Sequence, residues 1–272
     1  MDETAEAKDG VVIELPETQK ALDITVLMGG PSSERDVSLL SGAAIANALE
    51  SVGHHVTHAD IHPQDTTALD REGVDVVFIA LHGDFGESGE VQGLCEERNL
   101  RYTGSNERAS RLGMDKAAAK QILKRGGLTT PEWMIIEEFH SSAQIAQWLE
   151  GFPPPVVLKP VDGGSSVDIK ITTDITQRDE ALEYLLDKYG RMMIERYLPG
   201  REFTVGIIGN SALPVMEIVP DGEFYDYRAK YDDEATTAYV FQHGLDEAMA
   251  ARMRRSVRTT MSLKAARTTS LP

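Results

Sequence analysis

The chain has 272 residues, 41% of them hydrophobic, which is enough for one large domain or two to three small ones. Its 44 acidic residues outnumber 27 basic ones, and the net charge of -17 excludes nucleic acid and anionic membrane surfaces as expected partners. A single cysteine, Cys95, excludes an intrachain disulfide and fits a cytoplasmic location. No run of about 18 apolar residues predicts a membrane span.

The first predicted unit is an open α/β domain at residues 23–112, which follows a disordered acidic leader at residues 1–22. Continuous apolar strands at residues 24–28 and 74–81 each end at a glycine-containing turn, and a helical pattern follows each turn. Strand, turn and helix in this repeated order predict right-handed βαβ units. We therefore expect a Rossmann-like parallel sheet.

The pattern changes after residue 112. Strand-turn-strand pairs dominate, with one hairpin at residues 156–171 and a second at residues 203–219 around a Gly-Asn turn. These pairs predict an α+β fold with antiparallel sheets, divided into a central subdomain at residues 113–190 and a partial C-terminal subdomain at residues 191–272. A last helical pattern covers residues 245–257, and no periodic apolar face follows it.

The hairpin turn in VVLKPVDGGSSV carries the strongest chemical pattern. Lys159 ends the first strand and supplies a point charge suited to phosphate. The Gly-Gly-Ser-Ser turn lets backbone N–H groups approach phosphate oxygens without an intervening Cβ. A solvated lysine beside an ordinary turn is the alternative interpretation. The segment is not a P-loop, because no Gly-Lys-Ser/Thr ends it and no helix follows.

Three further segments each allow a chemical interpretation and a purely structural one. Glu195 ends a strand and is followed by Tyr197 and Leu198, so it favours either a nucleobase and ribose site or a surface carboxylate. Glu202 stands at a strand entrance, where a carboxylate can orient a lysine, although a solvated turn acid explains it equally well. The loop at residues 225–231 interleaves three tyrosines with two bases and indicates either a lid over an anionic intermediate or a polar surface loop.

Polar residues also follow two strands of the first domain. Glu34 lies at the start of a helix after the first strand, where it can pair with a substrate ammonium, although helix capping by Ser32 or Ser33 explains the segment too. His82 follows a neighbouring strand, and a structural histidine is its alternative interpretation. Ligands of open α/β sheets bind at the carboxyl ends of strands.

Seven segments in the same order and at similar spacing together resemble D-alanine–D-alanine ligases. The resemblance covers residues 24–231. The segments are MGGPSSERDVSLLSG at 28–42, ALHGDFGESGEVQG at 80–93, YTGS at 102–105, MDK at 114–116, VVLKPVDGGSSVDI at 156–169, IERYLPGREFTVGI at 194–207 and FYDYRAKY at 224–231.

The resemblance implies an α/β N-terminal Rossmann-like domain followed by an α+β ATP-grasp fold, which grips ATP between two antiparallel sheets. It also implies ATP and D-alanine as ligands, a cytoplasmic homodimer, and synthesis of a peptidoglycan precursor. D-alanine is first converted to an acyl phosphate, which the amine of a second D-alanine attacks. Another ATP-grasp amino-acid ligase is the alternative enzyme, and the context of Glu34 argues against it.

Roles follow from the resemblance residue by residue. Glu34, Ser165 and Tyr231 resemble the hydrogen-bonded set that couples lid closure to substrate, and His82 and Glu87 match the substrate-side segment. The nucleotide-binding positions are Lys116, Lys159, Ser166, Glu195, Tyr197, Leu198, Glu202 and Lys230.

The end of the chain departs from the family pattern. Family members continue to an Arg-x-Asp and a Glu-x-Asn strand, whose carboxylates bind Mg²⁺, and from about Ser256 this sequence resembles neither. We therefore expect a truncated or frameshifted chain with an incomplete ATP-grasp fold, no magnesium ligands and impaired turnover. An inactive nucleotide-binding remnant is the corresponding alternative function.

Overall fold

The computed structural model describes residues 20–209, 211–222, 225, 227–232, 235–241 and 243–266, apart from the side chains of Tyr227, Tyr231 and residues 263–266. Of the leader expected at residues 1–22, residues 1–19 therefore lie outside the described residues. Leu22 packs against the first hydrophobic core, and its carbonyl accepts a hydrogen bond from the His55 amide at 2.9 Å. Ordered structure thus begins before residue 23.

A parallel three-stranded sheet forms the first domain and confirms the predicted α/β layer. Its order is β2-β1-β3, and β1 pairs in parallel with both neighbours. Val26 and Leu27 in β1 are fully buried, which explains why this strand reads as a continuous apolar run. The elements are β1 (Asp23–Gly29), α1 (Arg35–Ser51), β2 (His55–Ile61), β3 (Val76–Ile79) and α2 (Glu90–Glu97).

Two consecutive helices connect the first domain to the rest of the chain. Helix α3 (Glu107–Met114) begins after Asn106, whose side chain accepts a hydrogen bond from the Ala109 amide, and the sequence analysis did not predict it. Asp115 caps α4 (Lys116–Arg125) in the same way, through the Ala118 amide. A single residue, Asp115, therefore separates the two helices.

An antiparallel four-stranded sheet follows, in the order β4-β7-β5-β6. Its strand β7 lies beyond residue 190, where we expected the central subdomain to end, because β7 pairs with both β4 and β5. Met192 and Ile194 of β7 are fully buried in its core. The elements are β4 (Trp133–Glu137), α5 (Ser142–Leu149), β5 (Val156–Pro160), β6 (Lys170–Thr172), α6 (Ile175–Tyr189) and β7 (Arg191–Arg196).

A second antiparallel sheet lies in the C-terminal part. The predicted hairpin at residues 203–219 is present and contains two separate strand pairs. One pair, β9 and β10, forms its tip, and the other, β8 and β11, belongs to the sheet of order β12-β11-β8. The last helix continues past residue 257, where we expected the helical pattern to stop. The elements are β8 (Glu202–Thr204), β9 (Ile207–Ile208), β10 (Ser211–Ala212), β11 (Met216–Val219), α7 (Tyr227–Tyr231), β12 (Ala238–Val240) and α8 (Glu247–Ala266).

None of the helices in the described part of the chain combines the length and the apolar character that crossing a membrane requires.

Candidate active site

The glycine-serine turn between β5 and β6 is a loop with left-handed backbone at several positions. Ser165 and Ser166 have φ angles of +48° and +60°, which side-chain-bearing residues seldom adopt. The Ser165 hydroxyl donates a hydrogen bond to the carboxylate of Glu34. Glu34 is buried at the start of α1, so this bond joins the loop to the first domain.

The same loop contacts the segment that we predicted to be a lid. The Ser166 hydroxyl donates to the carbonyl of Tyr225 at 3.1 Å and accepts from the Lys230 ammonium at 3.0 Å. Lys230 lies on the short helix α7. Tyr231 ends that helix, and its side chain lies outside the described residues, so its predicted place in the hydrogen-bonded set stays a prediction. The loop therefore contacts both the first domain and the lid segment.

Glu195, near the end of β7, is a buried carboxylate between two ammonium groups. Lys159 of β5 donates to one oxygen, and Lys120 of α4 donates to the other at 2.7 Å. Burial opposes the charge of Glu195, but the two lysines outweigh it and hold the pKa of the carboxyl below its usual value. Lys120 also donates to Thr130 at 2.6 Å. The ion pairs hold Lys159 in a fixed position at the strand end.

A cleft of about 640 Å³ opens between the two antiparallel sheets. Strands of both sheets contribute to its walls, and Leu198 exposes 64% of its surface. An exposed leucine beside a tyrosine suits the flat apolar face of a nucleobase. The cleft contains five of the residues predicted to bind nucleotide: Lys159, Glu195, Tyr197, Leu198 and Glu202.

Lys116 lies behind the glycine-serine loop and does not line this cleft. Its ammonium donates to the carbonyls of Val161 at 3.3 Å and Gly163 at 2.7 Å. Burial lowers the pKa of Lys116, and the nearby charge of Lys159 lowers it further. It lines a separate cavity of about 690 Å³ with Glu87. The structure thus places the two predicted phosphate lysines near each other, but on different cavities.

His82, Glu87 and Glu34 come together at the carboxyl end of β3 and the start of α1. The Ser41 hydroxyl and His82 Nε2 are 3.0 Å apart, and the Gly83 amide donates to Glu87 at 3.1 Å. The Glu87 side chain reaches solvent, but neighbouring protein atoms shield its carboxyl from water in part. This desolvation raises the pKa of Glu87, and the nearby charge of Glu34 raises it further. This group offers carboxylates to a small cationic ligand.

Magnesium does not fit the residues that the structure describes. Within those ranges, no three His, Cys, Asp or Glu side chains are grouped to hold a metal ion. Glu195 is instead paired with two lysines, and Glu34 with a serine hydroxyl. Mg²⁺ prefers carboxylate and water oxygens in octahedral arrangement.

Two family models match the chain, one described as the D-ala D-ala ligase N-terminus at residues 63–105 and one as the D-ala D-ala ligase C-terminus at residues 122–268. The chain belongs to the D-alanine–D-alanine ligase family. D-alanine–D-alanine ligases from Gloeobacter violaceus and Aquifex aeolicus are 43% and 44% identical to it over 209 and 210 residues. Each alignment covers 76% of this chain, and 69% and 70% of those relatives.

Solved D-alanine–D-alanine ligases share the architecture. The crystal structure from Bacillus anthracis has a TM-score of 0.78 at 32% identity and covers 90% of this chain and 79% of its own. The structure of that ligase complexed with ATP has a TM-score of 0.75 at 30% identity and covers 90% and 78%. These likenesses confirm the predicted ATP-grasp fold with its α/β first domain.

The sequence analysis did not identify one residue of this candidate site. Lys120 was not singled out, although it follows Lys116 by four residues and so lies on the same face of α4. It is a buried lysine whose partner, Glu195, is 75 positions away in the chain. Helical spacing between two lysines was the available signal, and the pairing with Glu195 was not visible from it.

Proposed function

We propose that this chain joins two D-alanine molecules in an ATP-dependent reaction that supplies a peptidoglycan precursor. Family membership supports the reaction class. The observation that carries the proposal is the cleft between the two antiparallel sheets, where the Lys159–Glu195 ion pair lies next to Tyr197 and Leu198. Such a cleft combines an apolar surface for a base with a fixed cation for phosphate.

ATP binding in that cleft assigns a role to each wall. Tyr197 and Leu198 contact adenine, and the carboxylates of Glu195 and Glu202 lie on the ribose side. Lys159 faces the phosphates, and the N–H groups of the glycine-serine loop approach them closely. Because the chain carries a net charge of -17, the triphosphate depends on these local donors, on Lys230, and on the charge of Lys116, which lies behind the loop.

The first D-alanine binds where the loop meets the first domain. Its ammonium pairs with Glu34, and His82 and Glu87 complete the polar wall around it. A D-alanine carboxylate oxygen attacks the γ-phosphorus of ATP, the bond to the β,γ-bridging oxygen breaks, and ADP leaves with that electron pair. Positioning of the two anions beside Lys230 supplies the main contribution of the protein.

The second step uses the acyl phosphate as an activated carbonyl. The neutral amine of a second D-alanine attacks the carbonyl carbon, the carbon–oxygen bond to phosphate breaks, and inorganic phosphate leaves as the amine loses a proton. Phosphate is a far better leaving group than oxide. Tyr231 is proposed to complete the hydrogen-bonded set with Glu34 and Ser165, which holds the lid over the intermediate.

The assembly and location remain parts of the proposal. A cytoplasmic location agrees with the supply of ATP there, and a homodimer agrees with the family. Nucleic acid is not expected as a partner of so acidic a chain. Light scattering of the purified chain measures the oligomeric state directly.

The decisive experiment is product formation by the purified chain. D-alanine and ATP are supplied with and without magnesium, and D-alanyl-D-alanine is measured by mass spectrometry together with released phosphate. We expect slow phosphate release, because the described residues include no group of side chains suited to hold magnesium. The release should require D-alanine and be absent from the Lys159→Met variant. ATP binding without product in every condition would instead support an inactive nucleotide-binding protein. Product from another amino acid, and none from D-alanine, would support a different ATP-grasp ligase.

A further inference from the structure

Asp168 closes the glycine-serine loop in an unusual backbone conformation. Its φ angle is +54°, in the left-handed region that disfavours residues with a Cβ. A position of this kind persists when surrounding contacts hold it in place. The side chain of Asp168 is only 13% exposed, although that of its partner Lys188 is 48% exposed. Contacts made by this carboxylate therefore decide the conformation of the loop end.

Three donors from one helix bind the Asp168 carboxylate. Tyr184 donates to one oxygen at 3.1 Å, and Lys188 donates to the other at 2.8 Å. The Tyr189 hydroxyl donates to that second oxygen as well. Burial raises the pKa of Asp168, but the three donors outweigh it and lower the pKa below its usual value. The group is thus an anion at neutral pH.

The three donors lie on α6, which is firmly packed against the central sheet. Leu185, between Tyr184 and Lys188 in sequence, is fully buried in the core of that sheet. Asp174 caps the start of the helix, and Gly190 ends it with a φ angle of +65°. Helix α6 is therefore a rigid support for the loop.

The other contacts of the loop lead to different parts of the molecule. Ser165 bonds to Glu34 of the first domain, and Ser166 bonds to Tyr225 and Lys230 of the lid segment. Lids and domains of ligases open and close during turnover. Asp168 connects the loop, through α6, to the central sheet, and strands of that sheet also form a wall of the nucleotide cleft.

We infer that Asp168 is a positioning residue whose carboxylate holds the loop at residues 163–168 against α6, so that its N–H groups are preset for phosphate. The naming of a nucleotide phosphate as ligand rests on the proposed function. The holding of the loop does not, because it follows from the contacts of Asp168 alone. The two parts therefore have separate measurements.

Hydrogen exchange of the full chain tests the holding of the loop. The amides of Val167 and Ile169 are hydrogen-bonded to Gly164 and Ser166 inside the loop, and they report its conformation. We expect Asp168→Gly to raise exchange at these two amides about tenfold, since bonds to a charged group are lost. Glycine adopts left-handed backbone without cost, so relief of strain would slow exchange instead.

Two variants control the chemistry of the change. Asp168→Asn keeps one oxygen acceptor and tolerates left-handed backbone, so we expect an effect between those of wild type and Asp168→Gly. Asp187→Asn removes the same charge from an exposed site of α6 and should leave the loop unchanged. Loop exchange in Asp168→Gly equal to wild type overturns the inference, as does an increase spread evenly over the whole chain with a lowered melting temperature.

Calorimetric titration with ATP tests the positioning of the phosphate site. We expect Asp168→Gly to bind ATP about tenfold more weakly than wild type, and Asp187→Asn to bind as wild type does. Equal affinity of Asp168→Gly and wild type, with a loosened loop, overturns the positioning role. Should wild type bind no ATP while Asp168→Gly still loosens the loop, the nucleotide assignment fails and the role of Asp168 in holding the loop is supported.

Discussion

The hydroxyl of Ser165 donates a hydrogen bond to the carboxylate of Glu34 across 131 positions of the chain. Ser165 belongs to the loop beside the proposed nucleotide cleft, and Glu34 belongs to the first α/β domain. The bond therefore joins the proposed phosphate site to the proposed amino-acid site. Any movement of the loop changes the environment of a buried carboxylate.

Replacement of Ser165 by alanine tests this connection. The variant leaves the buried Glu34 carboxylate without that donor, and an incompletely satisfied buried charge is unfavourable. We expect kcat/KM for D-alanine to fall about tenfold to hundredfold. Ser166→Ala is the matched control, because its hydroxyl bonds to the lid segment and should mainly raise the KM for ATP. Equal effects of the two variants on both substrates would contradict separate roles.

Gly83 is required for space as well as for backbone freedom. Its φ angle is +68°, and a Cβ added there would lie 2.8 Å from a carboxylate oxygen of Glu34. We expect Gly83→Ala to displace Glu34, to raise the KM for D-alanine, and to lower the free energy of unfolding by about 1–3 kcal/mol. Chemical denaturation and steady-state kinetics measure the two effects.

Gly73 provides a control for the backbone part of that effect. It also has a left-handed backbone, with a φ angle of +79°, but among the described residues no atom beyond its chain neighbours lies within 4 Å of an added Cβ. Gly73→Ala should therefore lower the stability without changing the KM for D-alanine. If both glycine variants change the KM equally, contact with Glu34 is not the cause.

Lys120 is expected to stabilise the fold through its buried bond to Glu195. Lys120→Met keeps the length of the side chain but leaves Glu195 with one ammonium partner, Lys159. We expect the free energy of unfolding to fall by about 2 kcal/mol, measured by chemical denaturation. Arg125→Met, an exposed change on the same helix, should leave it unchanged.

The stability of the chain should also depend on the ionisation of Glu195. Its pKa in the folded chain is lowered from 4.5, because bonds from Lys120 and Lys159 outweigh the effect of burial. A carboxyl with a lowered folded pKa stabilises the chain above about pH 4.5, and this contribution is lost as the pH falls through the folded pKa. Other paired carboxylates, such as Asp60 and Asp168, act in the same direction.

Comparison of wild type with Lys120→Met isolates the part due to Glu195. Loss of one ammonium raises the folded pKa of Glu195 toward its unfolded value. We therefore expect the stability difference between wild type and variant to be largest at neutral pH and to shrink below about pH 4.5. Denaturation curves between pH 3 and pH 7, about one unit apart, measure it. A difference that stays constant over this range would contradict the assignment.

Local sequence patterns were sufficient to predict most of the strands and helices. The continuous run of β1 predicted a strand that is buried on both faces, and the structure confirms it. The predicted hairpin at residues 203–219 is present, but it consists of two separate antiparallel pairs, β8 with β11 and β9 with β10. The helix α3 was missed, because its apolar residues are few and only Asn106 marks its start. Helix α8 continues to Ala266, since lysine, arginine and alanine sustain a helix without a periodic apolar face.

The amino-acid sequence by itself determined the family, the order of most strands and helices, and the residue types that are proposed to meet phosphate and ammonium groups. Those properties reside in contiguous segments, where turn chemistry and apolar periodicity act over a few residues. The tertiary structure alone decided that Lys120 shares Glu195 with Lys159, that Lys116 lies behind the loop, and that α6 holds Asp168. Each of these depends on groups that are 16 or more positions apart, and only the packing of helices on sheets brings them within hydrogen-bonding distance.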